Sequence, residues 1–240
     1  MTTLFISDLH LDASRPDATH AFLNFLTKEA SAAKKLYILG DLFEAWIGDD
    51  DPNPHHQKVV AAIAQLSESD TQCFFIPGNR DFLVGKHFLK AARMTLLPDP
   101  TLIYVGGESV LISHGDIYCT DDLSYQRYRH FVHHPLIMRI YRALPFFMRR
   151  MIIDTARGKS QASTQYKSAQ IMDVNQQAIE TSLRDHQVSI LLHGHTHRPA
   201  FHDFESDGQE KRRIVLGDWY QSGSVLSWDE KGPELLTVNF

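Results

Sequence analysis

Residues 36–41 of the chain read LYILGD, four apolar residues that end at a glycine and a carboxylate. The same arrangement occurs in LFISD at residues 4–8 and in CFFIPGN at residues 73–79. Short apolar runs that stop at polar or turn-forming residues predict β-strands. Between these runs, residues 18–26 and 59–66 place apolar side chains at helical spacing. The alternation of strand and helix predicts an α/β fold built on a sheet.

Further apolar runs extend this pattern along the chain. Residues 82–92 are predicted as a helix, and later strands are predicted at residues 102–105, 110–113, 188–192, 213–216, 224–227 and 235–238. The length of 240 residues and a hydrophobic content of 43% are enough for one substantial core. We therefore expect a single domain over residues 1–240.

The stretch from residue 123 to about residue 167 differs in composition from the rest. It has helical character and carries nine Lys and Arg residues against one acid, Asp154, in a chain whose net charge is -5. Apolar residues are interleaved with these cations, and Pro145 is expected to separate one helix from the next. We interpret this stretch as a helical cap inserted into the domain.

Charge and cysteine content restrict the function. The net negative charge argues against a dedicated nucleic-acid-binding protein, because such proteins need a basic surface. Two cysteines, Cys73 and Cys119, form no disulfide framework and suit a reducing compartment. The chain reaches Asp8 too early for a signal peptide, and no apolar run is long enough to span a bilayer. The sequence therefore predicts a cytoplasmic protein, and it indicates no obligate protein partner.

Five short polar motifs follow predicted strands, which is where α/β folds place their ligands. They are Asp8-Leu9-His10, Gly40-Asp41, Gly78-Asn79-Arg80-Asp81, His114-Gly115-Asp116 and Gly194-His195-Thr196-His197. Their donors are carboxylate, amide and imidazole groups without a thiolate, which favours Mn²⁺, Fe²⁺ or Zn²⁺ over a structural zinc site. Any one motif alone is more often a turn or a helix cap.

Together and in this order, the five motifs resemble the pattern of the calcineurin-like metallophosphoesterases. The resemblance implies a four-layer αββα sandwich that holds two divalent metal ions, which would activate a shared water for attack on phosphorus. The ligands it implies are Asp8, His10 and His197 for the first ion, Asn79, His114 and His195 for the second, and Asp41 between the two.

Longer strings carry a narrower resemblance. LGDLFEAWIGDD at residues 39–50, GNRDFL at residues 78–83 and GHTHRP at residues 194–199 resemble the UDP-2,3-diacylglucosamine pyrophosphatases over essentially the whole chain. That family implies cleavage of UDP-2,3-diacylglucosamine to UMP and 2,3-diacylglucosamine 1-phosphate in lipid A biosynthesis, with attack at the α-phosphorus. It also implies Mn²⁺ as the metal and a peripheral position at the cytoplasmic face of the inner membrane.

The same resemblance implies which residues contact the substrate. They are Asn79, Arg80, Asp122, Ser160, Thr164, Lys167 and His195, and we add Arg157 from the basic cap. Catalytic roles are expected for Asn79, Arg80 and His195. Thr164 departs from the asparagine of the family, so its contact is the least secure. Arg157 and Lys167 could instead be surface cations.

Arg80 stands where many members of the superfamily have a histidine. A permanent cation suits a phosphoryl oxygen or the leaving group, but it cannot act as a general acid at neutral pH. The alternative is a structural arginine paired with Asp81 or Glu44. We interpret Glu44 as a partner of a ligand histidine rather than as a ligand. The acidic run at residues 49–51 is interpreted as a solvated turn with helix-start chemistry.

The cap leaves two interpretations open. Apolar surface beside cations can hold acyl chains and approach anionic lipid headgroups, which favours a lipid-linked substrate at a membrane. The apolar residues could equally be ordinary core, with the arginines as a solvated face. Two other functions remain: a phosphoesterase for a soluble nucleotide or phosphodiester, and a binding module that has lost catalysis. A binding module that has lost catalysis would be indicated by missing metal ligands in the sequence, and none of the seven is missing.

Overall fold

Two β-sheets form the centre of the molecule. The computed structural model describes residues 1–164 and 173–240, without the side chains of Arg157 and of residues 159–164. The first sheet contains β1 (Thr3–Ile6), β2 (Lys35–Leu39), β3 (Gln72–Ile76), β4 (Met94–Leu96), β10 (Ser222–Asp229) and β11 (Gly232–Asn239). The second contains β5 (Thr101–Val105), β6 (Glu108–Ser113), β7 (Ile190–His193), β8 (Ala200–Ser206) and β9 (Gln209–Val215).

The helices lie outside these sheets. They are α1 (Pro16–Lys28), α2 (Pro54–Glu68), α3 (Lys86–Ala92), α4 (Leu123–Val132), α5 (Pro135–Ala143), α6 (Phe146–Thr164) and α7 (Gln176–Asp185). Short 3₁₀ turns occupy Ala30–Ala32 and Asp116–Tyr118. No described helix is both long and apolar enough to cross a membrane.

The order of the layers follows from alternating side chains. Leu4 and Ile6 of β1 pack in the core cluster that also contains residues of α1, α2 and α3, whereas Phe5 packs in a separate cluster with residues of the second sheet. On the far side, Leu111 and Leu191 of the second sheet pack against Ile179 and Leu183 of α7. Successive side chains of a strand face opposite sides of the sheet, so these clusters define helix, sheet, sheet and helix layers. The predicted αββα sandwich is confirmed.

Parallel pairing brings the polar motifs to one edge. The first sheet has the order β11-β10-β1-β2-β3-β4, and β1 through β4 run parallel. The second has the order β5-β6-β7-β9-β8, in which β7 runs parallel to both β6 and β9. The carboxyl ends of parallel neighbours meet at the same edge, so the residues that follow β1, β2, β3, β6 and β7 converge there.

Two strands and one helix boundary differ from the sequence prediction. Strands β4 and β8 were not predicted, because both are short or largely exposed and lack a clear apolar run. The helix predicted from residue 82 begins at Lys86, since residues 79–83 form turns. Asp49 fixes this start: its carboxylate accepts hydrogen bonds from the backbone N–H groups of Gly85, His87 and Phe88. Such capping satisfies donors that have no partner within the helix.

The acidic run at residues 49–51 includes a turn at residues 49–50 and a carboxylate at a helix start, as interpreted, and all three carboxylates also have structural partners. In addition to its role at α3, Asp49 accepts a hydrogen bond from Nε1 of Trp46. Asp50 pairs with the buried guanidinium of Arg149, and Asp51 lies 3.1 Å from Nδ1 of His56. These carboxylates connect the loop after β2 to three helices.

Helices α4, α5 and α6 make up the described part of the predicted cap. Met138, Tyr141 and Ile153 pack against the core cluster under α1 to α3. Arg149 of α6 donates to the carbonyl of Ile47 as well as to Asp50. Part of the cap therefore packs as ordinary core, which is what one of the two interpretations predicted.

The cap also exposes apolar surface. Large apolar side chains that are exposed on these three helices are Leu123, Tyr128, Phe131, Leu136, Ile140, Phe147, Met151 and Ile152. Arg127, Arg139, Arg142 and Arg150 are exposed on the same helices. The cap thus combines a packed side with an exposed apolar and cationic surface, and the two interpretations each describe part of it.

Candidate metal centre and active site

Five of the seven predicted metal ligands have a left-handed backbone. The φ angles are 55° at Asp8, 49° at His10, 52° at Asp41, 67° at His195 and 58° at His197. Residues other than glycine rarely adopt this conformation, and it costs free energy unless the surrounding structure enforces it. The strain is concentrated where polar side chains converge, which marks this edge as a functional site.

Glycines allow the strand ends to approach one another. A Cβ on Gly40, whose φ is 87°, would lie 2.6 Å from the backbone nitrogen of Gly78. A Cβ on Gly78 would lie 2.3 Å from Oδ1 of Asp41. Only glycine fits at such distances, so the loops after β2 and β3 depend on these residues.

Asp8, His10 and His197 form one ligand group. Nε2 of His197 lies 3.2 Å from Oδ1 of Asp8, and Nε2 of His10 lies 3.9 Å from the same oxygen. Nε2 of His10 also lies 3.7 Å from Oδ2 of Asp41. This nitrogen is buried and has no hydrogen-bond partner among residues 1–164 and 173–240. One potential ligand atom from each of the three residues lies within 4.8 Å of the others.

Asp41, His114 and Asn79 lie beside this group. Nε2 of His114 is 3.1 Å from Oδ1 of Asn79 and 3.8 Å from Oδ1 of Asp41. Potential ligand atoms of Asp8, Asp41 and His114 also lie within 4.8 Å of one another. Asp41 is thus close to both groups through its two oxygens, which is the position expected of a bridging carboxylate.

His195 lies next to the second group. Its ring centroid is 5.0 Å from that of His114, and its backbone N–H donates to Oδ2 of Asp8. The structure therefore brings all seven predicted metal ligands to one edge, and their assignment to two metal ions stays a prediction.

The outer nitrogens of the histidines are held by partners. Nδ1 of His114 lies 2.8 Å from the carbonyl of Leu39, which can only accept, so in the neutral ring the proton is on Nδ1 and the lone pair is on Nε2. Nδ1 of His10 lies 3.0 Å from Oε2 of Glu44, as expected for a partner of a ligand histidine. Nδ1 of His197 lies 3.2 Å from Oδ2 of Asp218. Contacts of this kind orient imidazole ligands toward a metal.

Sequence analysis missed Asp218 and Tyr220. Both follow β9, and the ring of Tyr220 stacks on His10 at a centroid distance of 5.6 Å and an interplanar angle of 16°. A polar residue after another predicted strand was the available signal for Asp218. Tyr220 carried no signal, because only the packing of its loop brings it to the site.

Asp81 holds two of the converging loops together. Oδ1 accepts hydrogen bonds from the backbone N–H groups of Gly78 and Asp41, and Oδ2 accepts one from Leu42. Asp81 is fully buried and is occupied by these backbone donors. It is therefore a scaffold residue, and pairing of Arg80 with Asp81 is not the arrangement that forms.

Arg80 lies at the same edge. Its backbone N–H donates to Oδ1 of Asp41 at 2.8 Å, which fixes the residue beside the centre. The side-chain Nε is buried and has no hydrogen-bond partner within the part of the chain that the structure describes. A buried cationic donor without an acceptor suits an anionic ligand.

The other predicted substrate contacts are only partly visible. Asp122 is the N-cap of α4, where Oδ1 accepts from the backbone N–H of Tyr125 and from Oγ of Ser124. The side chains of Arg157, Ser160 and Thr164, and the whole of Lys167, lie outside the described residues. Their contacts stay predictions.

Helix α4 reaches the site through a buried network. Tyr125 Oη and Arg129 Nε both donate to Oδ2 of Asp116, at 2.6 and 2.7 Å. The ring of Tyr125 stacks on His195 at a centroid distance of 6.2 Å. The network connects the cap to the strand end that carries His114, two residues before Asp116.

The electrostatics of the centre call for positive charge. Burial alone would raise the pKa of Asp8, but a hydrogen bond with His197 and the charges of His114, His197 and His10 hold it well below its usual range. Burial lowers the pKa of His114, yet the carboxylates of Asp41 and Asp8 outweigh it and raise that pKa to about 9. Burial lowers the pKa of His195 to about 4. Two buried carboxylates therefore need a cation between them, and His195 is neutral and able to bind one.

These residues fit divalent metal ions. Oxygen and imidazole donors surround a small volume, and the buried Nε2 of His10 has no hydrogen-bond partner among the described residues. The outer nitrogens of His10, His114 and His197 each lie close to an oxygen atom. The arrangement is an open site of hard donors rather than a closed thiolate site, which is the form that catalytic centres take.

The comparisons agree with this geometry. The sequence model of the calcineurin-like phosphoesterase family matches residues 1–199, so the chain belongs to that family, whose members use divalent metal ions. Among its relatives, the UDP-2,3-diacylglucosamine hydrolase of Escherichia coli O7:K1 is 50% identical over 240 residues, with 100% of both chains covered. The protein of the same name from Serratia proteamaculans is 48% identical over the same coverage. The chain therefore belongs more narrowly to the UDP-2,3-diacylglucosamine hydrolase family.

Among solved structures, that of an archaeal phosphodiesterase is similar to this chain. The alignment covers 100% of both chains, with a TM-score of 0.48 and 13% sequence identity.

Proposed function

We propose that this protein hydrolyses the pyrophosphate bond of UDP-2,3-diacylglucosamine, releasing UMP and 2,3-diacylglucosamine 1-phosphate for lipid A biosynthesis. The observation that carries the proposal is the position of Asp41 between two ligand groups, next to an arginine whose Nε is buried and a cap with exposed apolar surface. The names of full-length relatives that are about half identical support the substrate.

The ligand assignment is part of the proposal. Asp8, His10 and His197 hold one ion, Asn79, His114 and His195 hold the other, and Asp41 binds both. Bound divalent ions supply Lewis acidity, which neutralises charge on phosphoryl oxygens and makes water a better nucleophile. We propose Mn²⁺ because the family resemblance implies it, and the oxygen and imidazole donors are compatible with this ion.

The chain's own residues orient the substrate. Arg80 places a fork of donors beside the centre, and a guanidinium can bind two oxygens of a phosphate at once. Asn79 and His195 lie within the second ligand group and can also contact a phosphoryl oxygen. Glu44 and Asp218 keep the rings of His10 and His197 turned toward the centre.

The cap is expected to bind the acyl chains of the substrate and to contact the membrane in which the substrate resides. Its exposed apolar side chains and its arginines suit acyl chains and anionic headgroups. We therefore propose peripheral association with the cytoplasmic face of the inner membrane. Substrate contacts by Asp122, Arg157, Ser160, Thr164 and Lys167 belong to the same proposal, and no nucleic acid or obligate protein partner is involved.

Two measurements test the function. The first compares acylated UDP-glucosamine with the deacylated compound and with cyclic nucleotides, using protein supplied with Mn²⁺. We expect turnover of the acylated substrate to be strongly preferred. Equal turnover of all three would favour a phosphoesterase for soluble nucleotides. The second is hydrolysis in ¹⁸O-labelled water, which should label UMP, and label found only in the sugar phosphate would contradict attack at the α-phosphorus.

A variant of the exposed cap separates the lipid role from the chemistry. Phe147→Ser combined with Met151→Ser changes two exposed residues of α6, and Phe201→Ser on β8 is a matched control outside the cap. We expect the cap variant to raise KM for substrate presented in phospholipid vesicles and the control to leave it unchanged. Equal KM values in both variants would remove the role proposed for this surface.

A further inference from the structure

Tyr220 occupies one side of the metal centre. Its ring lies 5.6 Å from that of His10 and 6.0 Å from that of His197, measured between centroids. Even so, Tyr220 is 48% exposed, so about half of this aromatic residue faces solvent directly beside the first ligand group. An exposed tyrosine that contacts two candidate metal ligands is in a position to contact whatever those metals bind.

Arg15 fixes this tyrosine in place. Its guanidinium carbon lies 4.5 Å from the centre of the Tyr220 ring. Nη2 of Arg15 donates to the carbonyls of Trp219 and Tyr220, at 2.5 and 3.1 Å. A ring that is held by both stacking and backbone anchoring loses little further freedom when a ligand binds to it.

The surroundings of Tyr220 are polar. Burial and the charge of Glu44 raise the pKa of Tyr220, whereas the charges of Arg80 and Arg15 lower it. Asp218 lies two residues before Tyr220 and accepts a hydrogen bond from its backbone N–H. This side suits a polar and aromatic ligand better than an acyl chain.

A different aromatic residue occupies the other ligand group. Tyr125 stacks on His195, and it belongs to α4, which continues into the exposed apolar surface of the cap. The two ends of the centre therefore differ: the helices of the cap lie next to His195, and a polar loop with one half-exposed aromatic ring lies next to His10.

We propose that Tyr220, held by Arg15, forms the subsite for the nucleoside half of the substrate. The inference rests on the proposed function, since a lipid-linked nucleoside diphosphate has its pyrophosphate between an acylated sugar and a nucleoside. With the pyrophosphate at the metals and the acylated half under the cap, the pyrimidine lies at the other end. A base can stack on an aromatic ring without a specific set of hydrogen-bond donors, so one exposed tyrosine can bind it.

The test measures UMP binding and substrate turnover separately. Protein supplied with Mn²⁺ is titrated with UMP by calorimetry, and KM and kcat are measured with acylated UDP-glucosamine. The variants are Tyr220→Leu, which removes the ring, and Tyr220→Phe, which keeps it. Tyr104→Leu is a matched control, because Tyr104 is an exposed tyrosine on β5 of the other sheet. The metal content of every variant is measured in parallel.

We expect Tyr220→Leu to weaken UMP binding and to raise KM by about tenfold, the range of one base–aromatic stack. For Tyr220→Phe and Tyr104→Leu, the UMP affinity and the KM should stay within about twofold of the values for the unsubstituted protein. Metal content should not change.

Several results would overturn the subsite. They are UMP affinity that is equal in Tyr220→Leu and the unsubstituted protein, no UMP binding to the unsubstituted protein, or a loss of affinity that parallels a loss of metal. The last would mean that Tyr220 acts through His10. Failure of the proposed function looks different, because acylated UDP-glucosamine would then not be hydrolysed although UMP binding still depended on the ring of Tyr220.

Discussion

Replacing Arg129 by methionine tests whether the buried network of the cap stabilises the fold. Arg129 Nε lies 2.7 Å from Oδ2 of Asp116, whose side chain is only 3% exposed. Burial raises the pKa of Asp116, but the charges of His114 and Arg129 outweigh it and lower the pKa to about 2. Removing one partner of a buried ion pair leaves an uncompensated charge, so we expect a loss of about 3 kcal/mol in the free energy of unfolding.

The pH dependence of this loss has a definite sign. The folded pKa of Asp116 is lowered from 3.8 to about 2, so its contribution to stability is fully present above about pH 4 and is lost as the pH falls toward 2. The variant lacks the part of this contribution that comes from Arg129, whereas His114 and Tyr125 still lower the pKa of Asp116. The difference between the two proteins should therefore be full at neutral pH and should begin to close below about pH 4.

The assay is urea unfolding followed by tryptophan fluorescence, with a chelator present so that metal binding does not change the stability. Arg212→Met is the matched control, because Arg212 pairs with Asp203 at 2.6 Å but the two side chains are 43% and 64% exposed. Ion pairs in such exposed positions contribute little, so the control should unfold like the unsubstituted protein. An equal loss in both variants would refute the role of burial in this argument.

Three further outcomes are expected. Asp41→Ala should abolish nearly all turnover, whereas Glu44→Ala should reduce it by about tenfold because Glu44 only orients a ligand; similar losses in steady-state assays would mean that the two roles are wrongly assigned. Arg80→Lys keeps the charge but loses the fork of donors, so turnover should fall by about tenfold or more while metal content by elemental analysis stays the same; unchanged turnover would leave Arg80 a structural role only. Burial and the charge of Asp116 raise the pKa of Asp99 to about 6, so its ionisation destabilises the fold as the pH rises from about 4 to about 6. Asp99→Asn should therefore gain about 1–2 kcal/mol at pH 8 in metal-free urea unfolding, with the gain vanishing near pH 4, and a gain that is the same at both values would contradict the assignment.

The sequence by itself determined the class of fold and placed the candidate ligand residues at the ends of strands. Apolar runs that stop at Asp8, Asp41 and Asn79 indicate strands whose ends carry donors, because strand period and turn chemistry are local properties. Parallel neighbours then bring those ends to one edge whatever the details of packing. The histidines at 114, 195 and 197 followed from the same pattern, and the structure brings them to the same edge.

Tertiary structure alone decided the partners of those residues. Nothing local in the sequence shows that Asp81 accepts three backbone hydrogen bonds, or that Asp49 caps a helix 36 residues later in the chain. Asp218 and Tyr220 reach His197 and His10 only because β9 and β10 lie where they do. Contacts between residues far apart in the chain depend on how the layers pack, and packing is a property of the whole molecule rather than of any window of sequence. The left-handed backbone at Asp8, His10, Asp41, His195 and His197 has the same origin, since only the surrounding fold can hold such residues in a conformation that they would otherwise avoid.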